Sequence, residues 1–335
     1  MAKIAFFSTQ AYDRQFFENK TDRHQIDFFE SRLKRRTVDL SKGYNGVCVF
    51  VTDRLDADVL QALADNGVKL VALRSAGFNH VDLEAAEKAG IRVMRVPAYS
   101  PEAVAEHAVA LILTLARKTH KAYNRVRDGN FSLDKLMGFT LKNRTIGIIG
   151  TGQIGRSFCN IMLGFGCRIV AYDKYPSDEM KEKGVEYLDF DEVLEVSDIL
   201  SLHCPLTLET KHLINESTLG KMKKGAMLVN TGRGKLVNTA AVIDSLKKEH
   251  LGSLAIDVYE EEEKLFFRDL SDYIIPDEQI AQLMIFPNVL ITAHQGFFTR
   301  ESMDEIARIT LKNLDDFEDG NESVNEVNSE LIKDN

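Results

Sequence analysis

The chain of 335 residues lacks any apolar run of the length that crosses a membrane. Its best candidate, Ala108 to Ala116, covers nine residues and includes Thr114, whereas a membrane helix needs about 20. The first residues lead directly into an apolar strand pattern, without the basic start, apolar stretch and cleavage site of a secretory signal. We therefore predict a chain that neither crosses a membrane nor is exported.

Cysteines are few, and none of them form a pair with metal-binding spacing. The four stand at positions 48, 159, 167 and 204, with no C-x-x-C pair and no adjacent histidine cluster. This spacing predicts no metal site. Three of the four lie in apolar segments, so we predict buried free thiols, which fit a reducing, cytoplasmic compartment.

An excess of basic charge is also missing. Lys and Arg number 42 against 51 Asp and Glu, which gives a net charge of −9. Proteins that bind duplex DNA usually show a basic face, and anionic membrane surfaces attract basic segments. Neither nucleic acid nor a membrane is therefore predicted as a partner. The fractions of hydrophobic (44%) and charged (28%) residues are those of a globular protein, and the length is typical of about two domains.

Short apolar runs alternate with amphipathic stretches along the chain, a pattern that predicts an α/β fold with parallel sheets and crossover helices. Before Ser100 the pattern predicts four strands, at residues 3–9, 46–52, 69–75 and 91–97. After it, the pattern predicts six more, at residues 145–150, 168–173, 198–203, 226–231, 253–257 and 288–292. Six strands with intervening helices match a doubly wound nucleotide-binding domain.

Three helical features stand out in the same pattern. The segment 56–66 predicts a helix with Gly67 as its C-terminal cap. Apolar spacing predicts one long helix from Pro101 to about Arg127, and a last helix over residues 300–318. The tail after Gly320 is polar and is predicted to fray.

A glycine-rich loop carries the sharpest local signal. Gly150-Thr151-Gly152-Gln153-Ile154-Gly155 follows a predicted strand and opens a predicted helix, the context that a dinucleotide-binding fingerprint requires. In that motif Gly150 allows the tight turn, Gly152 lets the backbone approach a pyrophosphate, and Gly155 packs the helix on the strand. Asp173 ends the next strand, 18 residues later, close to the spacing of about 20 for the ribose-binding acid. Its carboxylate would repel a 2′-phosphate, so NAD is predicted over NADP.

Reduction of a keto acid by hydride needs a cation for the carboxylate, a proton donor, and a group that keeps the donor protonated. The candidate cation is Arg233, because a guanidinium fork suits a carboxylate. The candidate donor is His294, at the carboxyl end of a predicted strand. The acid is one of Glu260 to Glu263, and spacing alone does not select it. His203 also ends a strand, where it would either line the cofactor cleft or pack as a structural histidine. His107 lies on a helix face and is predicted to pack structurally.

Together these motifs resemble the D-isomer-specific 2-hydroxyacid dehydrogenases over nearly the whole chain. The matching segments are G-T-G-Q-I-G at 150–155, H-C-P at 203–205, N-T-G-R-G at 230–234, D-V-Y-E-E-E at 257–262 and T-A-H-Q at 292–295. D-V-Y-E-E-E and the following L-F-F are shared with the NAD-dependent D-lactate dehydrogenases of this family. The resemblance implies hydride transfer between NADH and a small 2-keto acid, pyruvate, to give D-lactate.

The resemblance also implies a role for each matching residue. Arg233 would anchor the substrate carboxylate and His294 would act as acid and base. Glu262, five residues after Asp257, would favour the protonated imidazole. The implied cofactor-binding residues are Gly150, Gly152, Gln153, Ile154, Gly155, Asp173, Cys204, Pro205, Thr231 and Asp257. The implied substrate-side residues, besides Arg233, are Ala76, Gly77 and Tyr99, the last of which is otherwise a hinge-packing aromatic.

The domain organisation follows from the same resemblance. Residues 1–99 and 296–335 would form a flavodoxin-like substrate domain, into which a Rossmann-type NAD-binding domain, residues 100–295, is inserted. The two crossings, near Tyr99 and Gly296, would act as hinges for a closure that excludes water. The helix from Pro101 would be the family's dimer element, so a homodimer is implied.

Two other functions remain open. Gly296 is unusual beside the patterns expected of lactate enzymes, and Phe297 and Phe298 after it would suit a pocket for a larger 2-keto acid, such as 2-ketoisocaproate or phenylpyruvate. Some relatives use the same fold as an NAD-sensing corepressor that recruits protein partners. The intact set of arginine, glutamate and histidine favours an enzyme over such a binding module.

Overall fold

A computed structural model of the chain describes residues 1–330. The chain forms two compact α/β units. The first unit consists of Met1–Ser100 and the segment from Phe298 onward, and the second unit consists of Pro101–Phe297. Among the described residues, no helix is both long and apolar enough to cross a membrane.

A five-stranded parallel sheet forms the centre of the first unit, in the order β2-β1-β3-β4-β5. This is the strand order of flavodoxin-like folds. The strands are β1 (Lys3–Phe6), β2 (Gln25–Phe28), β3 (Gly46–Val49), β4 (Leu70–Leu73) and β5 (Arg92–Met94). The helices are α1 (Ala11–Phe17), α2 (Ala57–Asp65), α3 (Leu83–Lys88) and, from the end of the chain, α12 (Arg300–Glu318).

Local signals account for several of these elements. Asp56 caps α2 by accepting the N–H of Val59, and Gly67 follows the helix at a φ of +91°, a conformation that favours glycine. Strands β3 and β4 are fully buried and read as continuous apolar runs, as expected when helices cover both faces of a parallel sheet. The strand β2 was missed, because it is a half-buried edge strand whose Q-I-D-F sequence alternates polar and apolar residues.

The prediction that the tail after Gly320 frays is wrong as far as residue 330. Glu326 forms a bridge with Met94 at the edge of β5, and its carboxylate pairs with Arg92 at 2.7 Å. The neighbouring Val327 is only 4% exposed and joins the apolar core of the first unit. Hydrogen bonds from Asn325 to Asn313 and from Ser329 to Glu87 add to these contacts. The polar composition of the tail hid them, because their partners are distant in sequence.

The second unit has a seven-stranded parallel sheet in the order β12-β11-β10-β9-β6-β7-β8. The two halves of the sheet wind outward from the pair β6 and β9, which is the topological switch point of a Rossmann-type fold. The strands are β6 (Thr145–Ile149), β7 (Arg168–Tyr172), β8 (Glu186–Tyr187), β9 (Ile199–Leu202), β10 (Met227–Asn230), β11 (Ser253–Ile256) and β12 (Val289–Ile291). The helices are α4 (Pro101–Arg117), α5 (Thr119–Arg127), α6 (Gln153–Gly164), α7 (Asp178–Glu182), α8 (Phe190–Val196), α9 (Glu216–Lys221), α10 (Thr239–Lys247) and α11 (Glu278–Ile285).

The helix predicted from Pro101 to Arg127 is in fact two helices. Lys118 separates α4 from α5 and adopts a left-handed φ of +54°. The buried face of α4 continues as far as Ala116, whereas α5 has no buried residue. No buried contact therefore holds α5 in line with the axis of α4. The six strands predicted after Ser100 are all present, and the two-residue β8 is an addition too short to leave a periodic pattern.

The cysteine prediction is confirmed for three residues. Cys48, Cys159 and Cys167 are buried, and within residues 1–330 each of the four cysteines is a free thiol. Burial raises the pKa of Cys48 and of Cys159 to about 12. These thiols are therefore protonated near neutral pH and pack as small apolar groups.

Candidate active site

The carboxyl ends of six neighbouring strands meet at one edge of the sheet in the second unit. Parallel sheets of this type bind their ligands at that edge. Each of these strands is followed by residues that the sequence singled out. Gly150 follows β6, Asp173 follows β7, Cys204 follows β9, Thr231 and Arg233 follow β10, Asp257 follows β11 and His294 follows β12.

His294 and Glu262 form a close pair at this edge. Nδ1 of the imidazole lies 2.9 Å from Oε1 of the carboxylate. The other carboxylate oxygen, Oε2, accepts the backbone N–H of Tyr259 at 2.9 Å. The two paired side chains are 19% and 22% exposed. Glu262 is thus held from two sides, and Nε2 is the ring nitrogen of His294 that faces away from this bond.

Two other glutamates of the acidic run, Glu260 and Glu261, have other partners. Oε1 of Glu260 lies 2.6 Å from Nε2 of His212, and its Oε2 accepts the backbone N–H of Thr239. Burial raises the pKa of Glu260, but these hydrogen bonds outweigh burial and the pKa is lowered overall. Glu261 forms an ion pair with Lys264 at 2.8 Å. Of these three glutamates, the fold brings only Glu262 to His294.

Asp257 holds the backbone of the segment that carries His294. Its carbonyl oxygen accepts the N–H of His294 at 2.7 Å. Its carboxylate accepts the N–H of Gln295 on Oδ1 at 2.9 Å and that of Gly296 on Oδ2 at 2.8 Å. His294 itself adopts a left-handed φ of +55°, which residues other than glycine rarely do. Three successive amides therefore bind to one aspartate, which fixes this unusual backbone.

Gly296 is explained by the same aspartate. A Cβ at this position would lie 3.0 Å from Oδ2 of Asp257, so a side chain would disturb the hydrogen bond that the amide makes. The two phenylalanines that follow lie in different units. The ring of Phe297 lies 6.4 Å from the His294 ring, and the ring of Phe298 lies 4.7 Å from that of Tyr12 in the first unit.

Arg233 lies in a tight turn after β10. The side-chain amide of Asn230 donates to the Arg233 carbonyl at 2.9 Å and accepts the N–H of Gly232 at 3.1 Å. The guanidinium donates to the Gly232 carbonyl at 2.8 Å, and among residues 1–330 it forms no ion pair with an acidic side chain. A half-buried arginine without an acidic partner suits an anionic ligand.

The two glycines beside Arg233 differ in their surroundings. A Cβ on Gly234 would lie 2.1 Å from the carbonyl carbon and oxygen of Tyr259. Gly234 thus lets the turn after β10 pack on the segment after β11. Gly232 meets only ordinary contacts at 3.5 Å and beyond.

The glycine loop has the geometry of a dinucleotide site. Gly150 has a φ of +95°, and a Cβ on it would lie 2.6 Å from the backbone nitrogen of Cys204. A Cβ on Gly155 would lie 2.1 Å from the carbonyl oxygen of Gly150. Around Gly152, which precedes α6, the space is open to at least 4 Å. Two glycines therefore serve the packing of the fold, and the third leaves room beside a helix N-terminus, where phosphates bind.

Other residues at this edge fit a bound NAD as well. The Thr231 hydroxyl is buried and has no hydrogen-bond partner among the described residues, so it is available to a ligand. Asp173 accepts the N–H of Thr151 at 2.5 Å and that of Tyr175 at 2.8 Å, which fixes its carboxylate at the end of β7. Burial raises the pKa of the Cys204 thiol to about 11, so it is neutral, and Pro205 beside it is exposed.

His203 makes the contacts of a structural histidine. Its Nε2 lies 2.9 Å from the Ser201 hydroxyl, and its ring packs 4.9 Å from that of Phe158. Burial lowers the pKa of His203 to about 4. The imidazole is therefore neutral near pH 7.

Sequence reasoning missed three side chains that hold this edge. Asn230 fixes the Arg233 turn, and its signal was the Asn two residues before a glycine, a common turn pattern. Thr292 donates its hydroxyl to Oδ1 of Asp257 at 2.5 Å. His107 on α4 reaches the same carboxylate, at 3.3 Å. No local signal pointed to the last two, because their partner is distant in sequence.

The substrate-side residues suggested by the sequence lie in the first unit. The loop of Ala76 and Gly77 follows β4, and it is held by Ser75, whose hydroxyl donates to the Gly77 carbonyl at 2.9 Å. The guanidinium of Arg95 donates to the Ala76 carbonyl at 3.1 Å. Tyr99 lies near the end of this part of the first unit and is half-buried.

A Rossmann-type sheet, a glycine loop open beside its helix and a histidine–glutamate pair at the same edge define an NAD-dependent oxidoreductase. The family model for the NAD-binding domain of D-isomer-specific 2-hydroxyacid dehydrogenases matches residues 109–296. The chain belongs to this family, and its cofactor is NAD.

Relatives cover nearly the whole chain. 2-Hydroxyacid dehydrogenase A of Aspergillus oryzae is 52% identical to it over 94% of this chain and 92% of its own length. D-lactate dehydrogenase of Escherichia coli is 47% identical over 97% and 99%. The solved structure of the pyruvate reductase of Chlamydomonas reinhardtii superposes with a TM-score of 0.92 at 42% identity, covering 97% and 98%. The similarity to these relatives therefore extends over nearly the whole chain.

Proposed function

We propose that the chain reduces pyruvate to D-lactate with NADH. The observation that carries the proposal is the pair of His294 and Glu262, with Nδ1 and Oε1 2.9 Å apart, two strands away from an arginine without an acidic partner. These groups supply the proton donor, its carboxylate and the substrate cation that a 2-keto acid requires. The names of the Escherichia coli and Chlamydomonas relatives support pyruvate as the acid.

The three side chains divide the work of the reaction. When bound, NADH supplies a hydride, that is a proton with two electrons, to the carbonyl carbon. Arg233 holds the carboxylate with two parallel hydrogen bonds. Protonated His294 donates its Nε2 proton to the carbonyl oxygen, and Glu262 stabilises the imidazolium that gives it. In the reverse direction neutral His294 takes the proton from the lactate hydroxyl.

The cofactor residues that we propose are those at the strand ends. The glycine loop would bind the pyrophosphate through backbone N–H groups, Asp173 the ribose hydroxyls, and Thr231 a polar group through its unpartnered hydroxyl. The family resemblance adds roles for residues around the nicotinamide and the loop. The full proposed set is Gly150, Gly152, Gln153, Ile154, Gly155, Asp173, Cys204, Pro205, Thr231 and Asp257.

The proposals for the first unit rest on the family resemblance. The backbone amides at Ala76 and Gly77 would bind the substrate carboxylate, and Tyr99 would contact the substrate. Residues 1–99 and 296–335 would then serve as the substrate domain and residues 100–295 as the NAD-binding domain. A cytoplasmic location stays a prediction.

We further propose that the chain forms a homodimer through the region of α5 and the loop after it. Four large apolar side chains are exposed there, Tyr123 by 63%, Phe131 by 76%, Leu133 by 83% and Met137 by 88%. A cluster of this kind usually marks a surface that another protein covers. Sedimentation equilibrium measures the number of chains in the particle, and a dimer or a tetramer is expected.

Steady-state turnover with NADH and a panel of 2-keto acids tests the proposed function. Pyruvate is expected to give the highest kcat/KM, and chiral analysis is expected to find D-lactate as the product. A higher kcat/KM for 2-ketoisocaproate or phenylpyruvate would assign the chain to a larger acid. Binding of NADH without turnover of any 2-keto acid would favour the NAD-sensing module.

The cofactor preference tests Asp173. The wild-type chain is expected to use NADH far better than NADPH, because the carboxylate bonds the ribose hydroxyls and repels a 2′-phosphate. Asp173→Ala should raise the KM for NADH by about 10- to 100-fold, the loss of hydrogen bonds to a charged group, and should lose most of the preference. Lys174→Ala, at the exposed next position, is the control and should leave the KM for NADH unchanged. Equal kcat/KM values of the wild type for the two cofactors would contradict the assignment.

Two glycines of the loop separate binding from stability. Gly155→Ala places a Cβ 2.1 Å from a carbonyl oxygen and should lower the free energy of unfolding by about 1–3 kcal/mol, the usual cost of overpacking. The new Cβ in Gly152→Ala meets no atom within 4 Å apart from those of its chain neighbours. This variant should unfold like the wild type while binding NADH at least about 10-fold more weakly. Urea denaturation and NADH fluorescence titration measure the two effects. Wild-type NADH affinity in Gly152→Ala would remove this glycine from the cofactor site.

A further inference from the structure

His107 on α4 reaches the strand-end carboxylate through a chain of hydrogen bonds. Its Nε2 lies 3.0 Å from Oγ1 of Thr292 and 3.3 Å from Oδ1 of Asp257. The Thr292 hydroxyl donates its single proton to Oδ1 of Asp257 at 2.5 Å. The Thr292 oxygen can therefore only accept a hydrogen bond from His107, so Nε2 of His107 is protonated. The chain of donors runs from α4 through Thr292 to the carboxylate.

Asp257 is the point where this chain meets the backbone of the His294 segment. It is 1% exposed. Its carboxylate accepts hydrogen bonds from the backbone amides of Gln295 and Gly296, which follow His294. Burial raises the pKa of Asp257, but the bonds from His107, Thr292 and Gly296 outweigh it, and the pKa is lowered overall. The group that binds these amides is thus a carboxylate, the stronger acceptor.

We infer that His107 is a positioning residue for the reaction. It fixes the Asp257 carboxylate, which binds the amides of Gln295 and Gly296 and so holds the His294 imidazole against Glu262. His107 acts through Asp257, not on the substrate. The kinetic part of this inference rests on the proposed function, and its structural part does not.

The strain at His294 explains why one distant donor matters. A left-handed backbone at a residue other than glycine costs free energy and persists only where its surroundings hold it. Here Asp257 holds the segment through its backbone carbonyl and its carboxylate, and the orientation of the carboxylate depends on its donors. Without His107 the carboxylate can turn, the amides lose part of their acceptor, and the imidazole can leave the position 2.9 Å from Glu262.

Three variants separate positioning from a general loss of packing. His107→Leu removes the donor and keeps much of the volume, and His107→Gln keeps an N–H near the position of Nε2. His250→Leu is the matched control, because it also removes a hydrogen bond from a histidine Nε2 in the second unit, here at 2.9 Å to the Leu219 carbonyl. His250 lies before β11, at the opposite edge of the sheet from Asp257.

The first measurement is the NMR resonance of the His294 ring in the chain without added NADH, assigned by its loss in His294→Ala. We expect it to move in His107→Leu, to return in His107→Gln and to stay in place in His250→Leu. The second measurement is steady-state kinetics. In His107→Leu the kcat should fall by about 10- to 100-fold, as for small misplacements of a catalytic group, with the KM for pyruvate within about 2-fold. In His107→Gln it should recover.

An unmoved His294 resonance in His107→Leu, or an equal movement in His250→Leu, would overturn the inference. If His107→Leu does not fold, Thr292→Val is used instead, because it removes the hydroxyl between His107 and Asp257. This variant is then expected to move the His294 resonance. If the wild-type chain reduces no 2-keto acid, the proposed function fails, and the resonance alone decides the inference.

Discussion

His294→Ala is expected to lower kcat/KM by about 10²- to 10⁴-fold at every pH and in both directions, the usual contribution of a general acid or base. Reduction loses the donor for the carbonyl oxygen, and oxidation loses the acceptor for the hydroxyl proton. Because the imidazole follows β12 and the glycine loop follows β6, with three strands between them, NADH affinity should stay within about 2-fold. Stopped-flow and steady-state rates over a range of pH, with a fluorescence titration of NADH, measure both quantities.

The matched control is His212→Ala. It also removes an imidazole that pairs with a glutamate of the acidic run. That glutamate is Glu260, at 2.6 Å from His212, whereas the partner of His294 is Glu262. It should keep most of the activity. Substantial turnover in His294→Ala, or equal losses in the two variants, would mean that proton transfer belongs to another group.

Arg233→Lys is expected to raise the KM for pyruvate by about 10- to 100-fold, which corresponds to the loss of one hydrogen bond to a charged group. A lysine keeps the positive charge but cannot form the two parallel bonds of a guanidinium. The turn itself is held by Asn230 and by the close approach at Gly234, so the substitution should not unfold it. Steady-state kinetics with pyruvate, at saturating NADH, measure the change.

Lys235→Gln serves as the control for this substitution. It removes an exposed positive charge two residues away and should leave the KM for pyruvate within about 2-fold, because an exposed charge is screened. Normal pyruvate kinetics in Arg233→Lys would show that the arginine serves the turn and not the substrate.

The parts of the site that the sequence predicted are those with local signals. Strand-ending positions such as Arg233 and His294 follow directly from the alternation of strands and helices, since carboxyl ends of parallel strands meet at one edge. The glycine loop was equally local, because its three glycines, its strand and its helix lie within one short segment. The choice of Glu262 came only from the family resemblance, since spacing alone left Glu260 to Glu263 open.

The parts that the sequence did not predict depend on contacts between distant segments. Nothing near His107 indicated that its partner would be Asp257, 150 residues later in the chain. The break at Lys118 was hidden because apolar spacing continues past it, while the packing that would keep one helix does not. The packed tail around Glu326 was hidden for the opposite reason, since its composition is polar and its partners, such as Arg92, are distant in sequence.

The pH profiles of Glu262→Gln test most directly whether the pair of His294 and Glu262 performs the acid–base chemistry. A carboxylate at 2.9 Å stabilises the protonated imidazole. Glutamine removes the charge and keeps a carbonyl oxygen for the Tyr259 amide. Pyruvate reduction, which needs the protonated form, should lose activity at lower pH than in the wild type. Lactate oxidation, which needs the neutral form, should become active at lower pH.

Glu261→Gln is the control, because this neighbouring glutamate pairs with exposed Lys264. The measurement is kcat/KM against pH, in both directions, for the two variants and the wild type. The account predicts that both profiles of Glu262→Gln move toward acid while those of Glu261→Gln coincide with the wild type. Unmoved profiles in Glu262→Gln, or equal shifts in Glu261→Gln, would contradict it.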